Sequence, residues 1–418
     1  MSPNSPSSPN APNGNSPKRK LKILFLCPWL PWPLNTGGKI RTFNLIQSAG
    51  EWAEIHLRAV LEPDQGQVDV DALAPHVASI IAFKRERPGP LMRLTHSKME
   101  RWFHSPKLIK SVREEIAAEE YDVVHIDELL HSRILPPYVA QGANAVRQTP
   151  VIQHHHKLDT NFAKSINSNR GLQKHFDSWK IHRLERAAAD RHSHHLLCSN
   201  DDAVLLGNRY PKLSCSVVPS GYDPAYFSPA EDAPAREAEH IVFVGSMDYG
   251  PNKGAVTRFT SQVLPLLLAR RPNLLFTIVG RNPTEEIRSL AGPNVTVTGD
   301  VPDVRPYLSR ASLMIVPLLI GGGTRLKIVE AMGMRCPVVS STIGAEGLGL
   351  THDRELLLAD DTESFAQAVL ALIDDPKRAA ELADKANLYV KENLTWRHLA
   401  GNLVEIWRKV RASSLHGE

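Results

Sequence analysis

The chain has 418 residues, more than the roughly 250–300 that one hydrophobic core usually spans, so two or three domains are expected. Hydrophobic residues at 42% and charged residues at 22% describe a globular protein rather than a low-complexity one, and a net charge of +4 is too slight to make nucleic acid the main partner. The four cysteines, Cys27, Cys198, Cys215 and Cys336, form no CxxC pair or zinc-ligand spacing and read as reduced residues of a cytoplasmic protein.

Residues 1–20 begin as a run of Ser, Pro, Asn and Gly and end on Lys18, Arg19 and Lys20; with nothing apolar to pack and no apolar signal-peptide region, they are expected to be a disordered tail. Ordered structure is predicted to start with the apolar run Leu21–Trp29, a strand buried on both faces. Strands are then predicted at Glu54–Val60, Ser79–Phe83, Asp122–Ile126, Pro150–His154 and His195–Ser199, with helices such as Thr36–Ala49 and Lys107–Glu119 between them. The rhythm restarts with strands at His240–Gly245, Leu274–Gly280, Val295–Val297, Leu313–Pro317, Pro337–Ser341 and Glu355–Ala359, and helices such as Val256–Arg270 and Glu363–Asp374. Alternating strands and helices imply parallel pairing. The expected organisation is α/β: residues 21–218 as one doubly wound domain, 219–239 as an exposed linker, 240–395 as a second such domain, and 396–418 as a terminal helix that packs on either. Ligands of open parallel sheets bind beyond the carboxyl ends of the strands, which places a site in the cleft between the domains.

The sharpest local signal is Gly321-Gly322-Gly323-Thr324-Arg325-Leu326-Lys327-Ile328-Val329-Glu330, directly after a predicted strand. Glycines let the backbone approach a ligand, Thr324 is placed to cap the following helix, and a helix N-terminus with Arg325 and Lys327 attracts an anion such as a diphosphate. Glu330 lies further along the same helix, where a carboxylate can accept hydrogen bonds from a ribose diol. Asn35-Thr36-Gly37-Gly38 opens a helix after the first strand in the same manner. In His154-His155-His156 the outer two side chains share one strand face and His155 takes the other, which disfavours a shared metal. His192, His194 and His195 read as strand-edge residues. No GxxxxGK[ST], no GxGxxG after the first strand and no GxSxG is present, so P-loop, nicotinamide and serine-nucleophile chemistries lack support.

Lys84–Arg113 holds nine Lys or Arg against two acidic residues, interleaved with Leu91, Met92, Leu94, Met99, Trp102, Phe103, Leu108 and Ile109. Basic residues alternating with bulky apolar ones fit a surface that meets anionic lipid. Pro28-Trp29-Leu30-Pro31-Trp32-Pro33 is expected to form an aromatic lip beside the cleft.

The Gly321–Glu330 stretch resembles the donor-binding helix of the GT-B retaining glycosyltransferases of family 4, also called group 1, whose pattern is a Glu, seven residues and a second Glu. Glu330 matches the second Glu and Gly322 stands at the first, as in a branch that resembles sugar transferases of exopolysaccharide clusters. The backbone of Gly322, Gly323 and Thr324 is then expected to share in holding the sugar. Val217–Asp223 with Phe227 and Pro229 resembles the family's linker into its second domain. Phe243-Val244-Gly245-Ser246 with Lys253 resembles the loop whose Arg and Lys bind the donor diphosphate, with Ser246 at the Arg position. Val295–Val301 resembles the segment that frames the base, and His156-Lys157-Leu158-Asp159-Thr160 the one whose His reaches the transferred sugar.

The resemblance implies a GT-B fold and a retaining transfer from a nucleotide-diphosphate sugar to a glycan or lipid-linked acceptor, with no metal or other cofactor. His156, Lys253, Arg325, Lys327 and Glu330 would be catalytic; Gly37, Gly38, Gly245, Ser246, Val301, Gly322, Gly323 and Thr324 would hold the donor. Expected partners are the donor, the acceptor and an anionic membrane surface, and not nucleic acid; the expected location is the cytoplasm, peripheral to the membrane. A sugar-nucleotide epimerase of the same fold and a non-catalytic nucleotide-sugar-binding protein stay open as alternatives.

Overall fold

The computed structural model describes residues 19–135, 149–161, 172–231 and 234–416. The tail expected over residues 1–20 therefore falls, as far as residue 18, outside the described residues.

Two parallel sheets organise the chain. The first has the order β3-β2-β1-β4-β5-β6-β7, with β1 Leu21–Cys27, β2 Ala53–Leu61, β3 Ser79–Lys84, β4 Val123–Asp127, β5 Val151–His155, β6 His194–Leu197 and β7 Cys215–Val217. The second has the order β10-β9-β8-β11-β12-β13, with β8 Glu237–Val244, β9 Leu275–Val279, β10 Val295–Gly299, β11 Ala311–Val316, β12 Val338–Ser340 and β13 Leu357–Leu358. Every pairing in both sheets is parallel. Central strands such as β1 and β4 are buried on both faces because helices cover both faces. The order reverses between β1 and β4 and between β8 and β11, so the crevices at their carboxyl ends are the ligand sites that topology offers.

The strand predictions hold to within a few residues, apart from the short β7, which was not expected. His194 and His195 are not edge residues: β6 pairs with both β5 and β7, and both side chains are buried. The helix expected at Val256–Arg270 starts earlier, at Gly250, with Pro251 in its first turn, where a missing N–H costs nothing. It then passes through a π-turn at Phe259–Val263 before Leu264–Leu268, because Pro265 has no N–H to continue the ladder.

The stretch after β7 is not exposed along its whole length. Val218, Ser220 and Tyr222 are buried, and Tyr222 N donates to Leu394 O at 3.0 Å while Trp396 N donates to Tyr222 O at 3.2 Å. The chain thus crosses between the sheets twice, with the two crossings side by side. The last helix, Trp396–His416, returns to the first domain. It packs on the helix Gly37–Ala49, pairs Arg397 with Glu51 at 3.0 Å, and buries Trp407 completely.

Candidate functional site

Each crevice presents a glycine turn. In the first domain the N-cap Thr36 accepts a hydrogen bond from Lys39 N, and Gly37 and Gly38 form the first turn of α1, Gly37–Ala49. A Cβ at Gly37 would lie 3.5 Å from Leu326 of the second domain, and one at Gly38 would lie 3.5 Å from His156 Nδ1 and 3.4 Å from Trp29. In the second domain Gly323 adopts φ +68°, and a Cβ there would collide with the His156 carbonyl oxygen. The two glycine turns therefore close on His156 from opposite sides of the cleft.

The helix after the second turn, α2, runs Leu326–Gly333, and its N-cap is Arg325. Thr324 does not cap it: Thr324 Oγ1 instead accepts from Ser220 N at 2.8 Å, tying the loop to the interdomain crossing. The Arg325 guanidinium folds back on its own loop, donating to the carbonyls of Gly322, Gly323 and Ile343, with Glu346 at 3.7 Å. It shapes the glycine turn rather than standing open to a ligand.

Lys327 and Glu330 behave differently. Lys327 Nζ donates to Asn252 Oδ1 at 2.9 Å and lies 4.0 Å from the centre of the Phe243 ring. A Cβ at Gly245 would come within 2.6 Å of that nitrogen, so Gly245 is what leaves room for it. Burial, and then the charge of Arg325, pull the Lys327 pKa down to about 7, with Glu330 offsetting part of the effect. Burial pushes Glu330 up to about 7, offset in part by Lys327. Two groups poised to change charge near neutrality, one turn apart, suit a site that waits for an anion and a diol.

Lys253 pairs with Glu286 at 3.3 Å, toward the outer side of the same crevice. Ser246 Oγ donates to Asp248 Oδ1 at 2.6 Å and accepts from Arg281 Nε at 3.1 Å. Arg281 is a site residue that sequence reasoning missed. It follows Gly280, whose backbone (φ +158°) passes so close to the Gly245 carbonyl that no Cβ fits, and its own carbonyl accepts from Met247 N. A guanidinium therefore stands against the serine that replaces the expected Arg. The only sequence signal was a Gly-Arg step at the end of a predicted strand. Val301 is half-buried just past β10, the outermost strand next to β9.

In the first domain, His154 and His156 share a face and both meet Asp127, at 3.0 and 2.9 Å, while His155 points the other way and pairs with His195 at 3.0 Å. Asp127 also accepts from Thr42 Oγ1 at 2.7 Å and lies 3.7 Å from Cys27 Sγ. Desolvation alone would raise its pKa, but His156 and His154 hold it well below the usual carboxylate range. Burial likewise opposes charge on His156, yet the carboxylates of Asp127 and Glu128 outweigh it and raise the imidazole above its ordinary value. Glu128 approaches His156 Nδ1 at 3.2 Å from a backbone at φ +62°, a strained conformation for a non-glycine residue.

His125, Asp127 and His154 bring possible ligand atoms within 4.8 Å of one another, and their donors decide whether a metal fits. Arg41 and Trp407 can only donate. Arg41 Nη2 lies 3.1 Å from His154 Nε2, and Trp407 Nε1 donates to His125 Nδ1 at 3.1 Å. Burial keeps both rings neutral, and Arg41 leaves the His154 proton on Nδ1, where a cation would need a lone pair; His125 Nε2 faces that same nitrogen at 3.2 Å. The set does not fit a metal.

Of the aromatic lip, Trp29 faces the cleft beside Gly38, whereas Leu30 is buried and Trp32 packs inward on Phe43 at 5.6 Å between ring centres.

Residues 238–375 match the family model described as glycosyl transferases group 1. The chain is a glycosyltransferase whose second domain carries the group 1 match. Among curated proteins it is 25% identical over 340 residues to the phosphatidyl-myo-inositol mannosyltransferase of Mycolicibacterium smegmatis, covering 79% of this chain and 78% of that one. It is also 25% identical over 163 residues to an uncharacterised 44.6 kDa protein in the cps region of Klebsiella pneumoniae, covering 37% and 42% of the two chains. Among solved structures, Anabaena Alr3699/HepE in complex with UDP-glucose superposes with a TM-score of 0.64 at 17% identity, covering 93% of this chain and all of that one. The two-sheet architecture of this glycosyltransferase is the GT-B fold.

Proposed function

We propose that the enzyme is a retaining glycosyltransferase that moves a sugar from a nucleotide-diphosphate sugar to a glycan or lipid-linked acceptor, in exopolysaccharide or cell-surface glycan synthesis. The observation that carries this reading is the closing of the two glycine turns on His156, with Lys327 in the first turn of α2 held by Asn252 beside Gly245 and Glu330 one turn further on. As the glycosidic bond breaks, negative charge grows on the leaving diphosphate, and preorganised cations and helix N–H groups stabilise it by about 3 kcal/mol each in comparable sites. Lys327, Arg281, Lys253 and the amides of Gly322–Thr324 are assigned to that charge, Glu330 to the ribose and His156 to the transferred sugar. Val301 and Gly245 line the donor's path. With cations supplied by side chains, the reaction needs no metal, and chelator is expected to leave the rate unchanged.

The acceptor side is supported by the basic apolar surface. Leu91, Leu94, Met99 and Trp102 are exposed, with Arg85 stacked 4.1 Å over the Trp102 ring; Phe103 and Leu108 belong instead to the buried interior. The helix Leu172–Ala189 extends the patch with exposed Phe176 and Trp179 and joins it through Lys180 Nζ to Arg93 O at 2.7 Å. Such a face suits a protein peripheral to an anionic membrane on the cytoplasmic side, and no helix among the described residues is long and apolar enough to cross one. The region name of the Klebsiella relative and the donor in the Anabaena complex lend support to the glycan role and the nucleotide sugar.

A thermal-shift screen against UDP, GDP, ADP, dTDP and CMP tests the reading. Selective stabilisation by one diphosphate is expected; no shift with any of them would sink it.

A further inference from the structure

The first-domain cluster around Asp127 contains more than contact with a sugar requires. Its carboxylate, without measurable exposure, accepts from Thr42 Oγ1 on one oxygen and from His154 Nδ1 and His156 Nε2 on the other. The proton positions on the inner rings are set from outside the cluster. Arg41 fixes His154, and the same guanidinium donates to Val218 O at 2.5 Å, Pro219 O at 2.6 Å and Ser220 Oγ at 3.3 Å on the interdomain crossing. Trp407, from the last helix, fixes His125, whose ring stacks on Phe25 at 4.3 Å. His154 therefore directs Nδ1–H at the Asp127 carboxylate, His125 Nε2 faces that same nitrogen at 3.2 Å, and His156 is the member that reaches the cleft.

We propose that Asp127 is the positioning residue of His156, and that Arg41, acting through His154, keeps the carboxylate oxygen aimed at that ring. Held by carboxylates at both nitrogens, His156 is a fixed imidazolium under the glycine turn of the second domain. The linker crossing is thereby part of the first domain's active-site wall. The proposal rests on the reading of His156 as a residue of the donor site. The groups that face His156 are Asp127 and Glu128 from the end of β4, His154 from β5 with ring centres 4.9 Å apart, Arg41 from α1, and Lys157 next in sequence. Only the two carboxylates favour its charged form.

The test is a pH titration of histidine ring resonances in isotope-labelled, ligand-free protein, with His156 assigned by the signal lost in His156→Gln. The wild-type ring is expected to stay protonated above pH 6.5. In Asp127→Asn the anion is gone and the burial penalty remains, so the titration should fall by about one pH unit or more. Turnover should drop about tenfold or more while the nucleotide-induced thermal shift persists. Thr42→Val removes a donor from the other oxygen, leaves the carboxylate more basic and should move His156 upward by a few tenths of a unit. Opposite shifts in the two variants are not what a merely structural residue gives. Folded Asp127→Asn that titrates His156 at the wild-type pH, or that turns over at the wild-type rate, overturns the proposal. If that variant does not fold, an unmoved His156 in Thr42→Val overturns it equally. A wild-type chain that no nucleotide stabilises would break the functional reading instead and leave the titration standing.

Discussion

The two walls of the cleft are built on opposite electrostatic plans. On the first-domain wall Asp127 is saturated with donors, His154 has its proton fixed by Arg41, and the charges are settled before any ligand arrives. On the second-domain wall Lys327 and Glu330 both stand near a pKa of 7, and burial opposes their charges. A saturated wall gives geometry; an undercompensated wall gives affinity, because an incoming anion restores the charge that burial has suppressed on Lys327. The contrast assigns orientation of the sugar to the first domain and capture of the diphosphate to the second.

Substitutions on the second wall should have the largest effects. Lys327→Met should lower kcat/KM for transfer by about a hundredfold, the scale of one preorganised donor to a developing oxyanion. Glu330→Ala should cost about ten- to a hundredfold, mostly in donor KM, because a charged acceptor to the ribose is lost while the fold is kept. Arg281→Ala should raise donor KM by about tenfold with little change in melting temperature, a readout that separates it from Arg325. Substituting Arg325 unties Gly322, Gly323 and Ile343 and should lower the melting temperature as well. The smallest effect is a gain in stability. The folded-state pKa of Glu330 is raised, so its ionised form is disfavoured in the fold, and the cost grows as pH rises from about 4.5 through 7. Glu330→Gln should therefore raise the melting temperature by a few degrees at pH 8 and leave it unchanged at pH 4.

The fold was legible because each central strand is an apolar run closed by turn residues, a signal contained within a few neighbours along the chain. The Gly321–Glu330 site was legible for the same reason, since one loop and one helix carry glycines, cation and carboxylate in a single stretch. Arg281, Asp127 and Trp407 were not. Arg281 meets Ser246 because β8 and β9 are neighbours, and Trp407 meets His125 because the last helix crosses back over 282 residues of sequence. Sheet order brings such residues together, and no local spacing encodes it. Thr324 misled for a related reason: its hydroxyl has the right type and position for a cap, but a backbone N–H from the linker claims it. The exposure expected of the whole linker failed at Ser220–Tyr222 because the second crossing at Leu394–Trp396 covers it.

The proposed capture of a diphosphate by Lys327 on the second-domain wall is open to direct measurement. Calorimetric titration of the wild type and Lys327→Met with UDP and UMP, or with the corresponding pair for the base the screen selects, tests it directly. The wild type should bind the diphosphate at least about tenfold more tightly than the monophosphate, with net proton uptake near pH 7 as Lys327 regains its charge, and the variant should lose both. Equal affinity of the wild type for the two nucleotides, or a preference that survives in Lys327→Met, would contradict it.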